Sequence, residues 1–444
     1  MDWLSDMHLK PILVGLAGVG TVGSGVATLL KRNLQEIERR LGRSIVLYAA
    51  SDHHAKAARS IVGNEVIFVE NVFDLLNYPE IDIIIELMGG TTVAQEFVLE
   101  AIKRGKHVVT ANKALLAKEG TAIFLAAQKK DVMIGFEASV AGGIPIIKAL
   151  KEGLSANRVE SVCGIINGTS NYILTAMRNQ KSCFHEALSD AQQLGYAESD
   201  PTSDVEGFDA GYKLTILASV AFGVPICFDA CYIEGISALS SVDMDYAEEL
   251  GYKIKSLGLT KRVGDQIELR VHPTLIPANQ LIANVDGVIN AVLVSGDMVG
   301  KTLYYGPGAG ALPTASAVVA DLIDIARLLN VLALNRVPYT GFQPSAIEAL
   351  SILPIQDIFS AYYLRIKVTN RMGVLGDITH LLAKNGISIE AVIQKSAVAE
   401  EDIAQIVVLT SLVQEHLINI AIRAIEALPI VVDRVVRLRV ESFK

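Results

Sequence analysis

Apolar runs that alternate with segments of helical spacing organise the first part of the chain. Residues 10–16 are apolar and strand-like, and they lead through a glycine-rich turn into a segment with helical periodicity. Further strands are predicted at Ile45–Ser51, 81–86 and His107–Thr110, with helical segments such as 93–104 between them. This alternation predicts a parallel sheet that is covered by helices on both faces.

The pattern changes after a strand predicted at 132–137. Helices become longer, strands become more scattered, and a helix predicted at 315–329 follows the glycine run GPGAG. A proline-containing stretch is then typical of a linker. From residue 362 the pattern restarts as a βαββαβ unit, with a polar turn predicted at 397–402.

These changes predict an α/β chain in four parts. We expect a Rossmann-type nucleotide-binding domain at 1–140, an α+β domain at 141–330, a linker at 331–358 and a C-terminal ferredoxin-like domain at 359–444. The segment 307–330 is expected to pack back on the first domain.

Composition excludes several classes of partner. A net charge of -9 and a pI near 5.5 provide no basic stripe for nucleic acid or for an anionic membrane. The apolar stretch 214–228 is interrupted by Gly223 and Pro225 and is too short for a bilayer span, so it predicts a buried helix. The first ten residues lack a basic segment followed by an apolar one. The four cysteines form no CxxC pair, which suits a reducing compartment. We therefore expect a cytoplasmic enzyme that acts on small molecules.

A GxGxxG pattern lies between the first strand and the first helix. In this pattern Gly18 makes the tight turn, Gly20 lets the backbone approach a pyrophosphate, and Gly23 permits close packing. The helix that starts at Thr21 and Val22 offers free N–H groups to the anion. The sequence therefore predicts a dinucleotide site.

The choice between NAD and NADP stays open on the residues after the second strand. Asp52 could accept hydrogen bonds from a ribose 2′-hydroxyl, which favours NAD. Lys56 and Arg59 lie close enough in sequence to bind a 2′-phosphate.

A cluster of acids and one lysine provides the sharpest chemical signal. Glu198, Asp200 and Asp204 lie on a polar turn, and Asp209 and Lys213 follow at helical i,i+4 spacing. Such a pair is often a surface ion pair of about 0.3–0.5 kcal/mol. Here the helix continues as LTILASVAF, so Lys213 stands where it enters a core, and a desolvated lysine has a tunable pKa suited to acid–base catalysis.

Two further polar clusters follow predicted strands. One contains Lys113, and the other, at 166–171, contains Asn167. Ligands of open α/β sheets bind at the carboxyl ends of the strands, which favours ligand contacts for both clusters over solvated surface positions.

Together these residues resemble one family, the homoserine dehydrogenases. The resemblance covers roughly residues 10–330, and its longest motif spans 191–213. The other motifs occur in the family's order: GVGTVG at 18–23, TANKALLA at 110–117, FEASVAGGIPII at 136–147, NGTSNYIL at 167–174 and GPGAGALPTASAVVADL at 306–322.

The resemblance implies reduction of L-aspartate 4-semialdehyde to L-homoserine with NAD or NADP, within threonine, methionine and isoleucine biosynthesis. Lys213 would be the general acid or base, Asp209 would orient it or the substrate hydroxyl, and Lys113 would lie between nicotinamide and substrate. Glu198 and Asp204 would bind the substrate ammonium group. Asn167 is placed in the same substrate site, and the part at 141–330 would be the catalytic and dimerisation domain.

The resemblance also implies ligands outside this cluster. Gly168 and Gly310 would approach the cofactor. A monovalent cation such as sodium would be held by Glu137 and by carbonyls, namely those of Val140, Gly142 and Ile144. Many relatives have Arg where this chain has Ser51, which weakens an assignment of NADP by analogy.

The C-terminal βαββαβ unit looks like an ACT domain, a module that binds amino acids. Its ligand loop would be Asn370-Arg371-Met372-Gly373-Val374-Leu375, although relatives often have Pro at the position of Met372. An amino-acid effector such as threonine is expected there, with a purely dimerising module as the alternative. Edge-to-edge pairing would satisfy exposed strand edges and make the protein a homodimer or homotetramer.

Two other functions compete with this interpretation. A phosphorylating semialdehyde dehydrogenase would need a nucleophilic cysteine with a nearby histidine, but Cys163 lies within a predicted strand with no histidine motif. A non-catalytic amino-acid sensor on a decayed nucleotide-binding fold would not need Lys113, Glu198, Asp209 and Lys213, all of which are present.

Overall fold

A computed structural model describes residues 10–395 and 403–443. The polar turn predicted at 397–402 and most of the N-terminal decapeptide lie outside the described residues. Within the described ranges, no helix is both long and apolar enough to cross a membrane.

The strands follow one another along the described chain as β1 (Ile12–Ala17), β2 (Ile45–Ser51), β3 (Ile67–Val69), β4 (Ile83–Glu86), β5 (His107–Thr110), β6 (Ile134–Gly135), β7 (Val159–Ile165), β8 (Tyr232–Ile233), β9 (Tyr252–Val263), β10 (Gln266–Pro277), β11 (Ile289–Gly296), β12 (Gly300–Pro307), β13 (Ser351–Ile352), β14 (Phe359–Thr369), β15 (Ile389–Lys395), β16 (Ile403–Thr410), β17 (Val413–Gln414) and β18 (Val436–Val440).

The α-helices, with short 3-10 turns between some of them, are α1 (Thr21–Arg32), α2 (Leu34–Leu41), α3 (Ala55–Val62), α4 (Thr92–Lys103), α5 (Lys113–Lys129), α6 (Ile146–Lys148), α7 (Gly168–Gln180), α8 (Phe184–Gln193), α9 (Thr202–Val205), α10 (Phe208–Phe222), α11 (Ser241–Glu249), α12 (Ala311–Leu328), α13 (Val374–Lys384) and α14 (Glu415–Glu426). A single π-helical turn, Ala149–Gly153, extends α6.

The chain divides into two compact units, each built from three segments. Unit 1 contains residues 1–166, 211–231 and 289–349, and unit 2 contains residues 167–210, 232–288 and 350–444. The boundaries that the sequence motifs predict, at 140, 330 and 358, group the chain differently and stay a prediction.

Unit 1 is organised around a six-stranded parallel sheet. Its strand order is β3-β2-β1-β4-β5-β6, the order of dinucleotide-binding folds, as the alternation of apolar runs predicts. The strand predicted at 132–137 is shorter, because regular pairing ends at Gly135 and a 3-10 turn follows. Helix α12 packs against α1, and a side chain at Gly25 would meet the carbonyl of Ala311 at 2.4 Å. The strands β12, β11 and β7 pair antiparallel in the same unit.

Unit 2 contains the C-terminal βαββαβ unit joined to the long hairpin of β9 and β10. Strand β18 pairs antiparallel with β14 and parallel with β10, so the sheet runs β9-β10-β18-β14-β16-β15. One face is covered by α13 and α14, whose apolar residues form one core with β14 and β16. The other face contributes Tyr363, Val407 and Leu438 to a second core shared with α7, α8 and α11.

Candidate active site

The glycine turn of unit 1 has the geometry that its sequence predicts. Gly18 has φ +96°, and a Cβ there would lie 2.6 Å from the carbonyl oxygen of Leu87. At Gly23 a Cβ would lie 2.1 Å from the carbonyl oxygen of Gly18, so only glycine permits this approach. At Gly20, the N-cap of α1, nothing lies within 4 Å of the Cβ position. The N-terminus of α1 at Thr21 and Val22 is therefore accessible to an anion.

Asp52 fixes this turn through its side chain. One carboxylate oxygen accepts the N–H of Val19 at 2.7 Å, and the other accepts the N–H of His54 at 2.7 Å. Because a carboxylate oxygen has two lone pairs, each keeps one acceptor position. This arrangement is compatible with a ribose hydroxyl, and it leaves the choice between NAD and NADP open.

Polar side chains cluster at the carboxyl ends of β4 and β5. Glu86 is fully buried and accepts a 2.6 Å hydrogen bond from Thr110, while burial raises the pKa of Glu86. Asn112 caps α5 by accepting the N–H of Leu115 at 3.1 Å, and it donates to the carbonyl of Gly90 at 2.7 Å. Lys113 is therefore the first residue of a capped helix at this sheet edge. Glu86 carried no sequence assignment, although an acid that ends a fully apolar strand could have indicated it.

Lys213 lies in the buried part of α10. The lysine is 8% exposed, and its Nζ donates to the carbonyl of Ile166 at 2.8 Å. The rest of the helix is buried through Phe222, and it ends where Gly223 adopts φ +65°. The i,i+4 spacing of Asp209 and Lys213 alone would suggest an ion pair on the surface. The burial of Lys213 does not fit that interpretation, and burial can shift the pKa of a lysine.

In unit 2, Asn167 joins Asp204, which is predicted to bind the substrate, to Asp209, which is predicted to orient Lys213 or the substrate hydroxyl. Its Nδ2 donates to Asp204 at 2.7 Å and to Asp209 at 2.8 Å, and its Oδ1 caps α7 by accepting the N–H of Ser170. Asp209 is 5% exposed, whereas Glu198 is exposed. The structure therefore brings Asn167, Asp204 and Asp209 together, with Glu198 on the surface of the same unit.

The segment after β6 contains the predicted cation ligands. The buried Glu137 carboxylate accepts the N–H groups of Ile147 and Lys148 at 2.8 and 2.7 Å, and burial raises the pKa of Glu137 to about 6. Ala141 and Gly142 have φ values of +55° and +45°, which break regular backbone pairing. In the described part of the chain no hydrogen bond reaches the carbonyls of Val140 or Gly142. The Ile144 carbonyl accepts the N–H of Ile146. Open carbonyls beside a carboxylate fit a hard monovalent cation.

The two glycines expected to approach the cofactor fall in different units. Gly310 has φ +114° and is the N-cap of α12 in unit 1, the helix that packs on α1. Gly168 is the first residue of α7 in unit 2.

A cavity of about 540 Å³ in unit 1 lies next to Glu137 rather than next to the glycine turn. Lys151, Asp321 and Asp324 line it together with part of the segment 333–344. Asp321 accepts the N–H of Glu137 at 2.9 Å, and burial together with the charge of Glu137 raises the pKa of Asp321 to about 8. Of the predicted site residues only Glu137 lines this cavity. Since it contains none of the substrate or cofactor residues, we assign it no part in catalysis.

Two further features of the sequence analysis are Cys163 and the loop 370–375. Cys163 is buried within β7, where a thiol has no access to solvent. In the C-terminal unit, the loop 370–375 follows β14, and Gly373 with φ +91° is the N-cap of α13. The N-terminus of α13 is therefore positioned to bind a carboxylate.

These features define a class of protein. The 3-2-1-4-5-6 strand order, a glycine turn at the first helix and a buried lysine are those of a dinucleotide-dependent oxidoreductase.

Comparisons with known proteins narrow this class to one family. A family model for homoserine dehydrogenase matches residues 145–323, one for the NAD binding domain of homoserine dehydrogenase matches 18–137, and one for the ACT domain matches 362–430. The chain is 56% identical to a homoserine dehydrogenase of Neisseria gonorrhoeae, covering 98% of this chain and 99% of the relative. It is 52% identical to that of Pseudomonas aeruginosa, covering 98% and 100%. The chain therefore belongs to the homoserine dehydrogenase family.

Solved structures agree with this assignment. A crystal structure of a homoserine dehydrogenase from Thiobacillus denitrificans has a TM-score of 0.94 at 54% identity and covers 98% of this chain and 100% of that one. That of the S. aureus enzyme has a TM-score of 0.77 at 31% identity, again covering 98% and 100%. The family, the oxidoreductase activity, an NAD(P)-binding domain and a C-terminal ACT domain predicted from the sequence are thereby confirmed.

Proposed function

We propose that the protein reduces L-aspartate 4-semialdehyde to L-homoserine, with Lys213 as the proton donor. The observation that carries this proposal is the buried Nζ of Lys213, held at 2.8 Å by a backbone carbonyl that cannot take its proton. NADH or NADPH, when bound, supplies the hydride to the carbonyl carbon. Lys213 gives its proton to the oxygen as negative charge develops there, and it takes the proton back in the reverse direction.

Two other carboxylates suit the ammonium end of the substrate. Asp204 and Glu198 would bind its ammonium group, because charge-assisted hydrogen bonds to a carboxylate are the strong ones. Asn167 orients Asp204 and Asp209 by donating to both, and its amide adds no charge of its own. Asp209 would orient Lys213 or the substrate hydroxyl, and Lys113 would lie between nicotinamide and substrate.

Turnover with the proposed substrate tests this function. We expect the protein to oxidise NADH or NADPH in the presence of aspartate semialdehyde. Lys213→Ala should lower kcat by at least about 10³-fold, because it removes the general acid. Cys163→Ala is the matched control and should keep most activity. Loss in Cys163→Ala with retention in Lys213→Ala would contradict the lysine mechanism, and no turnover at high enzyme concentration would favour the non-catalytic sensor.

We further propose that Glu137 and the carbonyls of Val140, Gly142 and Ile144 hold a sodium ion. The left-handed conformations of Ala141 and Gly142 support this, since they turn the backbone out of regular pairing. Bound sodium stabilises the folded state by mass action, so the thermal midpoint should rise when choline chloride is replaced by sodium chloride. An equal midpoint in both salts would contradict the site.

Regulation by an amino acid at the loop 370–375 is the corresponding proposal for the C-terminal domain. Threonine is the expected effector, acting in a cytoplasmic homodimer or homotetramer on the route to threonine, methionine and isoleucine. Asn370→Ala should raise the threonine concentration needed for half inhibition. Unchanged inhibition in this variant would place the effector elsewhere.

A further inference from the structure

A buried ion pair joins the C-terminal domain to α11 within unit 2. Asp243 is fully buried, and Arg365 of β14 donates to its two oxygens at 2.7 and 3.0 Å. Tyr363, also on β14, donates to Asp243 at 3.2 Å. The same carboxylate accepts the N–H of Ser240 at 3.1 Å and so caps the start of α11. The guanidinium and the helix cap therefore depend on one carboxylate.

Helix α11 is in turn packed on α7. Met244 and Ala247 of α11 share a core with Ile173 and Met177 of α7, and Tyr363 of the C-terminal sheet belongs to the same core. Because protein interiors are close-packed, a displacement of one element in such a core moves its neighbours.

The N-terminus of α7 holds Asp204 and Asp209 in place. Ser170 donates to the backbone carbonyl of Asp204 at 2.9 Å, and Thr169 donates to that of Tyr196 at 2.7 Å. Asn167, the N-cap, binds the carboxylates of Asp204 and Asp209. The position of α7 therefore sets where these two carboxylates lie.

We infer that Arg365 is a positioning residue for the substrate site, acting through Asp243 and α11 on α7. The inference rests on the proposed function only in taking Asp204 as a substrate ligand and Asp209 as the residue that orients Lys213 or the substrate hydroxyl. A bidentate guanidinium–carboxylate pair fixes both direction and distance, and lysine cannot reproduce its fork geometry. Strand β14 runs on into the loop 370–375, so a ligand that shifts this strand would reach the same helix.

The test compares variants of one strand. Arg365→Gln should raise the KM for aspartate semialdehyde about 10-fold, because the carboxylates at the start of α7 are then less firmly positioned. A tenfold change corresponds to about 1.4 kcal/mol of binding free energy. Arg365→Lys should restore part of the loss. The KM for NADH or NADPH should change less than about twofold, because the glycine turn lies in unit 1. Lys367 lies on the same strand as Arg365 and forms an exposed ion pair with Asp433. Lys367→Met removes this ion pair, serves as the matched control and should behave as wild type.

Hydrogen exchange gives a readout that does not depend on turnover. Exchange at residues 167–180 should speed up in Arg365→Gln relative to Lys367→Met, whereas exchange in β1 and α1 should not. If Arg365→Gln does not fold, Arg365→Lys decides by the same two measurements.

An unchanged KM for the aldehyde, or an equal rise in the cofactor KM or in Lys367→Met, would overturn the inference. If wild-type protein does not turn over aspartate semialdehyde, the proposed function fails on that result alone, and exchange in α7 still decides the role of Arg365.

Discussion

The cofactor residues predicted in unit 1 and the substrate residues predicted in unit 2 offer different kinds of contact. Unit 1 offers backbone: three glycines, the N-terminus of α1 and one carboxylate that ties the turn down. Unit 2 offers side chains: an amide that holds two carboxylates at the start of α7. Backbone recognition depends on the absence of side chains, and side-chain recognition depends on charge. The two units should therefore fail through different substitutions.

The largest effect is expected in the glycine turn. Gly23→Ala places a Cβ 2.1 Å from the carbonyl oxygen of Gly18, so we expect a loss of about 3 kcal/mol in unfolding free energy together with loss of cofactor binding. Gly20→Ala is the matched variant, because its Cβ meets no atom within 4 Å. It should keep the wild-type thermal midpoint while weakening NADPH or NADH binding at least about 10-fold in a fluorescence titration. Wild-type cofactor affinity in Gly20→Ala would show that the anion binds elsewhere.

A smaller effect, on the substrate KM and not on cofactor binding, is expected in unit 2. Asp204→Asn keeps the shape of the side chain but removes the charge that we propose to pair with the substrate ammonium group. A hydrogen bond to a charged group contributes about 1.5–3 kcal/mol, so the KM for aspartate semialdehyde should rise by about 10- to 100-fold. The cofactor KM should stay unchanged. Asp200→Asn serves as control, since Asp200 caps the exposed turn at Thr202. A parallel rise in both KM values would erase the distinction between the units.

The smallest effect concerns acid sensitivity. His107 accepts the N–H of Met133 at 2.9 Å, and burial together with Arg336 lowers its pKa to about 4. The unfolded chain takes up this proton near pH 6.5, so stability is lost as the pH falls from about 6.5 to about 4, by at most about 1.4 kcal/mol per pH unit. His107→Asn can accept the same N–H without titrating. Its unfolding free energy, measured in denaturant at pH 7 and pH 5.5, should fall less than that of the wild type.

The result also apportions acid sensitivity between the units. In unit 2, burial and the neighbouring arginines Arg439 and Arg270 lower the pKa of His272 well below its usual value. An equal fall in wild type and His107→Asn would exclude His107 as its source and make His272 the next residue to test.

Features with a local cause could be predicted from the sequence. The strands Ile45–Ser51 and His107–Thr110 were predicted with the bounds they have, because buried parallel strands are continuous apolar runs. The sequence places Asp209 and Lys213 on a helix that continues into the apolar stretch 214–228, and this helix is α10, which begins at Phe208. It ends at Phe222, earlier than the apolar stretch, because Gly223 takes a left-handed conformation. The glycine turn needed no long-range information either.

Features that depend on distant partners could not be predicted. The pair Arg365–Asp243 joins residues 122 positions apart, and nothing near either residue specifies the other. Gly25 looks like an ordinary helix residue until α12 approaches it. In the site, the sequence motifs place Asn167 near the substrate, but its simultaneous bonds to Asp204 and Asp209 depend on how α7 and α9 pack.

The pairing of β18 has a consequence for the order in which the two units can fold during synthesis. Residues 436–440 lie between β10 and β14, so the sheet of unit 2 stays open until this strand is synthesised. The parallel sheet of the other unit uses strands from the first 135 residues and can form while the ribosome is still translating the rest. A nascent chain can thus form its glycine turn well before the sheet of the other unit is complete.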